Sequence, residues 1–117
     1  MHRTSPENRF EVLDIALQAA GTAIGLVGRV PATYRSITDQ VIRSASSVPA
    51  NLAEGHGLTG KSRLHHYRIA YGSAKEVDVH LQLLVGAGVI DRSRTSEVID
   101  LFDRVRAMTW RLLHPRP

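Results

Sequence analysis

Residues 55–62, Gly55-His56-Gly57-Leu58-Thr59-Gly60-Lys61-Ser62, follow the phosphate-loop pattern G-x-x-x-x-G-K-[S/T] letter for letter. That chemistry needs a loop between a strand and a helix, whose backbone N–H groups cradle phosphates while Lys and Ser reach phosphate and Mg²⁺. The segment before Gly55 reads as helix, and the chain offers neither a parallel sheet nor a second acidic strand end for the metal. A small NTPase built on residues 55–62 is therefore a remote alternative. A weaker role fits better, in which the start of the following helix, with Lys61 and Arg63, holds a phosphate of RNA or DNA. His65, His66 and His80 with Glu76 raise the question of a metal. Glu76 and His80 share a helix face at i,i+4, but a di-iron bundle needs Glu-x-x-His on two helices plus two further carboxylates. Neither pair occurs, so solvated or interface histidines are expected, with no metal and no cofactor. Asn51, Glu54, Ser73 and Glu76 could supply acid–base groups, yet no nucleophile, base and orienting partner line up as a triad. They fall among apolar positions, where polar groups must be hydrogen-bonded to be tolerated. The expectation is a structural clamp between two helices around Pro49, with no catalytic residue.

The elements that must position these residues are helical. Phe10, Leu13, Leu17, Ala20, Ile24 and Val27 step by 3 and 4, and Val12, Ala16, Ala19, Ala23, Leu26 and Val30 repeat the same period. Two seams mean that the first helix is covered on two sides, which is more than one surface stripe requires. Ser5-Pro6-Glu7 suits its start as cap, first-turn proline and acidic residue; Pro31 ends it. Gly21, Gly25 and Gly28 weaken it by about 1 kcal/mol each relative to Ala but suit close packing against a neighbour. The second helix presents Ile37, Val41, Ala45, Val48 and Leu52 inward, with a kink or break expected at Pro49. Tyr67, Ala70, Ala74, Val77, Leu81 and Leu84 mark the third, closed by Gly86 and Gly88. Val98, Leu101, Val105, Met108 and Leu112 mark the fourth. No alternating β-branched run competes. The reading is an all-α, antiparallel up-down four-helix bundle with helices at roughly 6–30, 33–55, 62–87 and 93–113, forming one domain over residues 1–117.

Composition bounds the function. The 117 residues suffice for one core, and no apolar run approaches the roughly 18 residues of a membrane span. No secretory leader is legible at the N-terminus, so a cytoplasmic location is expected. Cysteine is absent, which removes disulfides and thiolate metal sites. The net charge of +4 sits in the middle of the chain: residues 33–75 hold six Lys/Arg against Asp39 and Glu54, whereas the flanking segments balance. A pI near 10.1 favours acidic partners, among which nucleic acid is the commonest. The candidate binding residues are Arg43, Lys61, Arg63, Arg68 and Lys75. Stacking candidates are few (Tyr34, Tyr67 and Tyr71, with Tyr67 facing the core), so backbone contact is expected rather than base stacking.

Residues 40–57, QVIRSASSVPANLAEGHG, and 69–90, IAYGSAKEVDVHLQLLVGAGVI, resemble the small four-helix proteins encoded in intervening sequences of bacterial 23S rRNA genes. That family carries a motif like I-R-R-A-x-x-S-I-P-S-N-I-A-E-G on its second helix and A-x-G-S-x-x-E-x-x-x-x-L on its third. Arg43, Ser47, Pro49, Asn51, Ala53, Glu54 and Gly55 match the first motif; Ala70, Gly72, Ser73, Glu76 and Leu81 match the second. Ser44 stands where a second Arg is usual. The resemblance covers roughly residues 10–112 and implies a homo-oligomeric ring, typically of five subunits, with no established activity. A related protein, the accessory variability determinant of diversity-generating retroelements, is thought to bind nucleic acid and a reverse transcriptase through a basic surface. The expected function is thus a non-enzymatic ring that binds RNA or DNA backbone or docks a nucleic-acid enzyme. The alternative is an oligomeric scaffold for a protein partner without nucleic-acid affinity.

Overall fold

The computed structural model describes residues 10–116, and the expected Ser5–Pro6 helix start lies outside them. Four helices form: α1 (Glu11–Val27), α2 (Arg35–His56), α3 (Gly60–Gly86) and α4 (Arg92–Leu113). No strand occurs among the described residues. α1 stops three residues before the expected end. The Gly28 N–H still bonds the Ile24 carbonyl, but the chain then turns through Val30 N–H to Val27 O towards Pro31. A 3-10 turn, Ala32–Tyr34, follows Pro31 and leads into α2. α2 runs through Pro49 as an unbroken helix, with the proline ring buried. Only three residues, Gly57 to Thr59, separate α2 from α3. α3 closes on Gly88, whose φ of +75° is a left-handed turn that glycine adopts without strain. Gly88 N–H bonds Val85 O and Val89 N–H bonds Leu84 O, the paired bonds of a Schellman end. None of the four helices is long and apolar enough to cross a membrane among the described residues.

Each helix packs on two neighbours, in the cyclic order α1, α2, α3, α4. One core runs between them. The α3 stripe is read correctly to the residue, since Tyr67, Ala70, Ala74, Val77, Leu81 and Leu84 are all buried. In α1 the seam of Val12, Ala16, Ala19 and Ala23 is buried, and those alanines let α1 lie close to its neighbours. The other seam is only partly covered: Ala20 and Val27 are inside, whereas Leu17 is 55% exposed and Ile24 37%. Gly21 and Gly25 meet nothing within 4 Å of an added Cβ, so the close neighbour expected for them is not supplied by the described residues. In α4 the inward face differs from the expected one. Thr95, Val98, Phe102, Val105 and Thr109 are buried, while Leu101, Met108 and Leu112 lie half-buried at its edge. The two threonines can occupy core positions because their hydroxyls donate to carbonyls one turn back, Thr95 to Asp91 O at 2.8 Å and Thr109 to Val105 O at 2.7 Å.

Candidate nucleic-acid interface and the α2–α3 polar seam

The polar residues between α2 and α3 form a ladder of side-chain hydrogen bonds. Ser44, Ser47 and Asn51 recur on α2 at the spacing of one face. Ser44 Oγ meets Glu76 Oε2 at 3.4 Å, Ser73 Oγ donates to Ser47 Oγ at 2.9 Å, and His66 Nδ1 lies 2.9 Å from Asn51 Oδ1. Asn51 Nδ2 also donates to the Ser47 carbonyl at 2.9 Å and to its hydroxyl at 3.0 Å. With the Asn51 oxygen as acceptor, the His66 ring carries its proton on Nδ1. Among the described residues no buried side-chain polar atom lacks a partner, which is what makes a polar seam tolerable here.

Three of the four expected clamp residues, Asn51, Ser73 and Glu76, take part in this ladder. Glu54 does not. It is exposed and one residue, about 100° of helix turn, away from Gly55, the position that faces α3. Gly55 is packed so tightly that an added Cβ would fall 2.8 Å from two carbons of the Tyr67 ring. The seam residues that sequence reasoning missed are Ser44, Ser47 and His66.

The phosphate-loop letters belong to a helix junction. Gly55 and His56 end α2, Thr59 caps α3, and Gly60, with φ +60°, begins it together with Lys61 and Ser62. No strand precedes the loop, and the carbonyls of its first two residues are already engaged. Arg63 Nε donates to Gly55 O at 3.0 Å, and its Nη2 donates to His56 O at 2.9 Å. The guanidinium thereby satisfies carbonyls at the α2 C-terminus, where a positive charge also complements the helix dipole. Burial raises the pKa of the neighbouring Tyr67 phenol above 10.0, with the Arg63 charge pulling partly the other way. The histidines likewise make protein contacts: His66 bonds Asn51, His80 Nδ1 lies 2.8 Å from the Glu76 carbonyl, and His65 sits edge-on to His66. No group of three or more His, Asp or Glu with the geometry to hold a metal occurs among the described residues.

The five basic candidates separate into three environments. Lys61, Arg68 and Lys75 are exposed on α3 at seven-residue intervals, which places them on one face about 10 Å apart. None of the three makes an ion pair among the described residues, and Lys75 Nζ lies 5.9 Å from the Tyr71 ring centroid. Arg43 is exposed on α2. Arg63 is half-buried and turned towards the end of α2, away from the other three.

The 23S rRNA-intervening sequence protein family matches residues 8–111. The chain belongs to that family. Its fold is shared with the crystal structure of a protein of unknown function from the S23 ribosomal protein family of Bacteroides thetaiotaomicron. The two agree with a TM-score of 0.81 at 20% identity, covering 88% of this chain and 95% of that one. No curated protein matches the chain. Within this member of the 23S rRNA-intervening sequence family, the motif residues now have physical roles. Ser47 and Asn51 carry the seam, Gly55 admits Tyr67, and Ser73 and Glu76 answer from α3. Ser44, where an arginine is usual, is only 4% exposed and donates to Gln40 O at 2.6 Å. The residue at that position faces Glu76 across the seam rather than solvent, so the missing arginine is not a charge lost from the outer surface.

Proposed function

We propose that the chain is a non-enzymatic subunit of a homo-oligomeric ring, a pentamer in our reading, that holds the backbone of RNA or DNA on the outer face of α3 or docks a nucleic-acid enzyme there. The observation that carries the reading is the row of Lys61, Arg68 and Lys75, exposed and without acidic partners among the described residues. Repeated around a ring, three charges per subunit make a field that attracts polyanions and is strongly screened by salt. Assembly is supported by the half-covered second seam of α1, where Leu17, Ile24 and the open Gly21 and Gly25 leave an apolar strip for another subunit. An up-down antiparallel topology is supported by the seam, because α3 partners fall from Glu76 to Ser73 to His66 as α2 residues rise from Ser44 to Asn51. A bend in α2 at Pro49, which has no N–H for the Ala45 carbonyl, belongs to the same reading. We place the protein in the cytoplasm. A second reading, a protein-binding scaffold, draws on Val79 and Leu83, which stand exposed one turn apart on α3.

The test is fluorescence-anisotropy binding to mixed-sequence RNA and duplex DNA, on protein whose oligomeric mass has been measured by light scattering. Three phosphate contacts lose about 40-fold in duplex affinity between roughly 50 and 200 mM salt, and several subunits acting together lose more. Arg68→Glu with Lys75→Glu should abolish binding and leave the oligomer intact. No binding at low salt would refute the nucleic-acid reading and favour the scaffold. A monomer in solution would refute the ring.

A further inference from the structure

Trp110 is the chain's single tryptophan, and it is 51% exposed although it lies next to the core of α4. The α3–α4 packing sets its ring 6.3 Å from that of Tyr71, inclined at 48°. The His114 imidazole lies on the indole with centroids 3.6 Å apart and planes within 30°. A flat nitrogen heterocycle just beyond α4 thus covers the indole, held there by its Nδ1 at 3.1 Å and its backbone N–H at 2.9 Å from the Trp110 carbonyl. Beside these rings opens a hollow of about 460 Å³, lined by Tyr71, Asp103, Arg106, Ala107, Trp110 and Arg111. The hollow is shallow and open to solvent, with room for a flat group laid on the surface rather than enclosed. Arg106 bridges Asp78 at 3.4 Å and Asp103, so the three groups together keep one net negative charge beside the hollow. Arg111 and Lys75 remain as exposed cations without an ion pair among the described residues, and Arg68 lies one turn from Tyr71 on α3.

We propose that the Trp110 indole, flanked by Tyr71, is the stacking face for one unpaired base of a single-stranded nucleic acid, which displaces the His114 ring while its phosphates lie on Lys75, Arg68 and Arg111. The inference rests on the nucleic-acid reading above and departs from the backbone-only contact expected from the sequence, adding the state of the strand and the point of anchorage. An exposed aromatic beside a basic row is the combination by which single strands are held, because every base has a π-face and every linkage a charge. A duplex keeps its base faces stacked inside and offers this platform nothing. An acidic peptide would satisfy the cations but leave the indole without a partner.

Because the chain has one tryptophan, tryptophan emission excited selectively over its three tyrosines reports on this site alone. The full-length protein is titrated with a 12-nucleotide mixed-sequence RNA, the equivalent DNA strand, their duplex forms and polyglutamate, with anisotropy and tryptophan emission recorded together. The expected result is saturable quenching by single strands, little by duplex and none by polyglutamate. Trp110→Ala should weaken single-strand binding by roughly 5- to 150-fold while changing duplex binding less than about twofold, and Trp110→Phe should restore most of the loss. RNA and DNA strands should bind within a few-fold of each other, since base and phosphate carry the contact. Single-strand binding with unquenched emission, or equally affected single-strand and duplex binding in Trp110→Ala, overturns the platform while leaving the basic-face reading in place. Absence of all nucleic-acid binding at low salt overturns both.

Discussion

Gly55→Ala tests the closest approach that an added Cβ would make at any glycine among the described residues. An alanine Cβ there would sit 2.8 Å from both Cδ1 and Cε1 of Tyr67 and 3.1 Å from the Arg63 carbonyl oxygen. Ordinary carbon contacts lie at about 3.5–4.0 Å, so the ring must retreat by close to 1 Å. It has little room to do so, being 3% exposed and stacked near Phe10 at 6.1 Å. The Arg63 carbonyl belongs to α3 backbone and gives still less. Overpacking of this kind costs about 1–3 kcal/mol, while replacing a helical glycine by alanine returns about 0.4–1 kcal/mol. The net is a loss of up to about 2.6 kcal/mol, which at about 3–5 °C per kcal/mol for a chain of this size lowers the melting temperature by up to about 13 °C. Thermal unfolding followed by circular dichroism reads this directly. Gly57→Ala is the internal control: its Cβ would meet its nearest neighbour at 3.7 Å, and its melt should stay close to wild type. Tyr67→Leu in the Gly55→Ala background should show a coupling of about 0.5–3 kcal/mol, since it removes the ring edge that clashes. A Gly55→Ala protein that melts at or above the wild-type temperature, with additive effects in the double variant, would refute the packing account and reopen the phosphate-loop reading of that glycine.

Three other expectations can be checked with the same melts. Asn51→Leu removes two hydrogen bonds to Ser47 and strands His66 Nδ1, so it should cost about 1–3 kcal/mol by denaturant titration, whereas Glu54→Leu should stay within about 0.5 kcal/mol. Arg63→Met uncaps Gly55 O and His56 O and should lower stability by about 1–2 kcal/mol, while Arg68→Met leaves the melt unchanged and weakens only nucleic-acid binding; equal melts for the two would argue against the cap. The raised pKa of Tyr67 means that the folded protein holds the phenolic proton more tightly than the unfolded chain. Its contribution to stability is therefore complete below pH 10 and lost as pH rises through the raised value, and Tyr67→Phe should flatten that alkaline decline.

Legibility in the sequence followed the chemistry of each position. The α3 stripe was readable because every core residue in it is apolar or aromatic and recurs with unbroken period. In α4, Val98 and Val105 are buried as expected, but the rest of the inward face shifts because Thr95 and Thr109 look like surface residues, and only their bonds to Asp91 O and Val105 O make them core. The clamp was visible as a group of polar residues among apolar ones, but its pairing was not. Which side chain answers which depends on the register between two helices, and that register is set by the junction at residues 57–59 and by the Gly55–Tyr67 contact. From the sequence Arg63 reads as a free charge for the same reason, since its acceptors lie on the preceding helix.

The two polar systems of this protein use different faces of α3, and this separation is the strongest physical reason to treat them as different functions. Ser73 and His66 make side-chain bonds to α2 across the seam, the exposed Glu76 approaches Ser44 Oγ at 3.4 Å, and no buried side-chain polar atom is unsatisfied among the described residues. Lys61, Arg68 and Lys75 turn outward and make no ion pair there. Exposed like charges in a row mildly destabilise the fold that carries them, because each repels the next without gaining a partner. A helix needing only stability would place carboxylates between them, as α3 itself does further along, where Asp78 meets Arg106. Substitutions on the seam should therefore change melting and leave the salt dependence of binding alone, and substitutions in the basic row should do the reverse. A row whose removal altered stability and left binding unchanged would mean that those charges belong to a subunit contact instead.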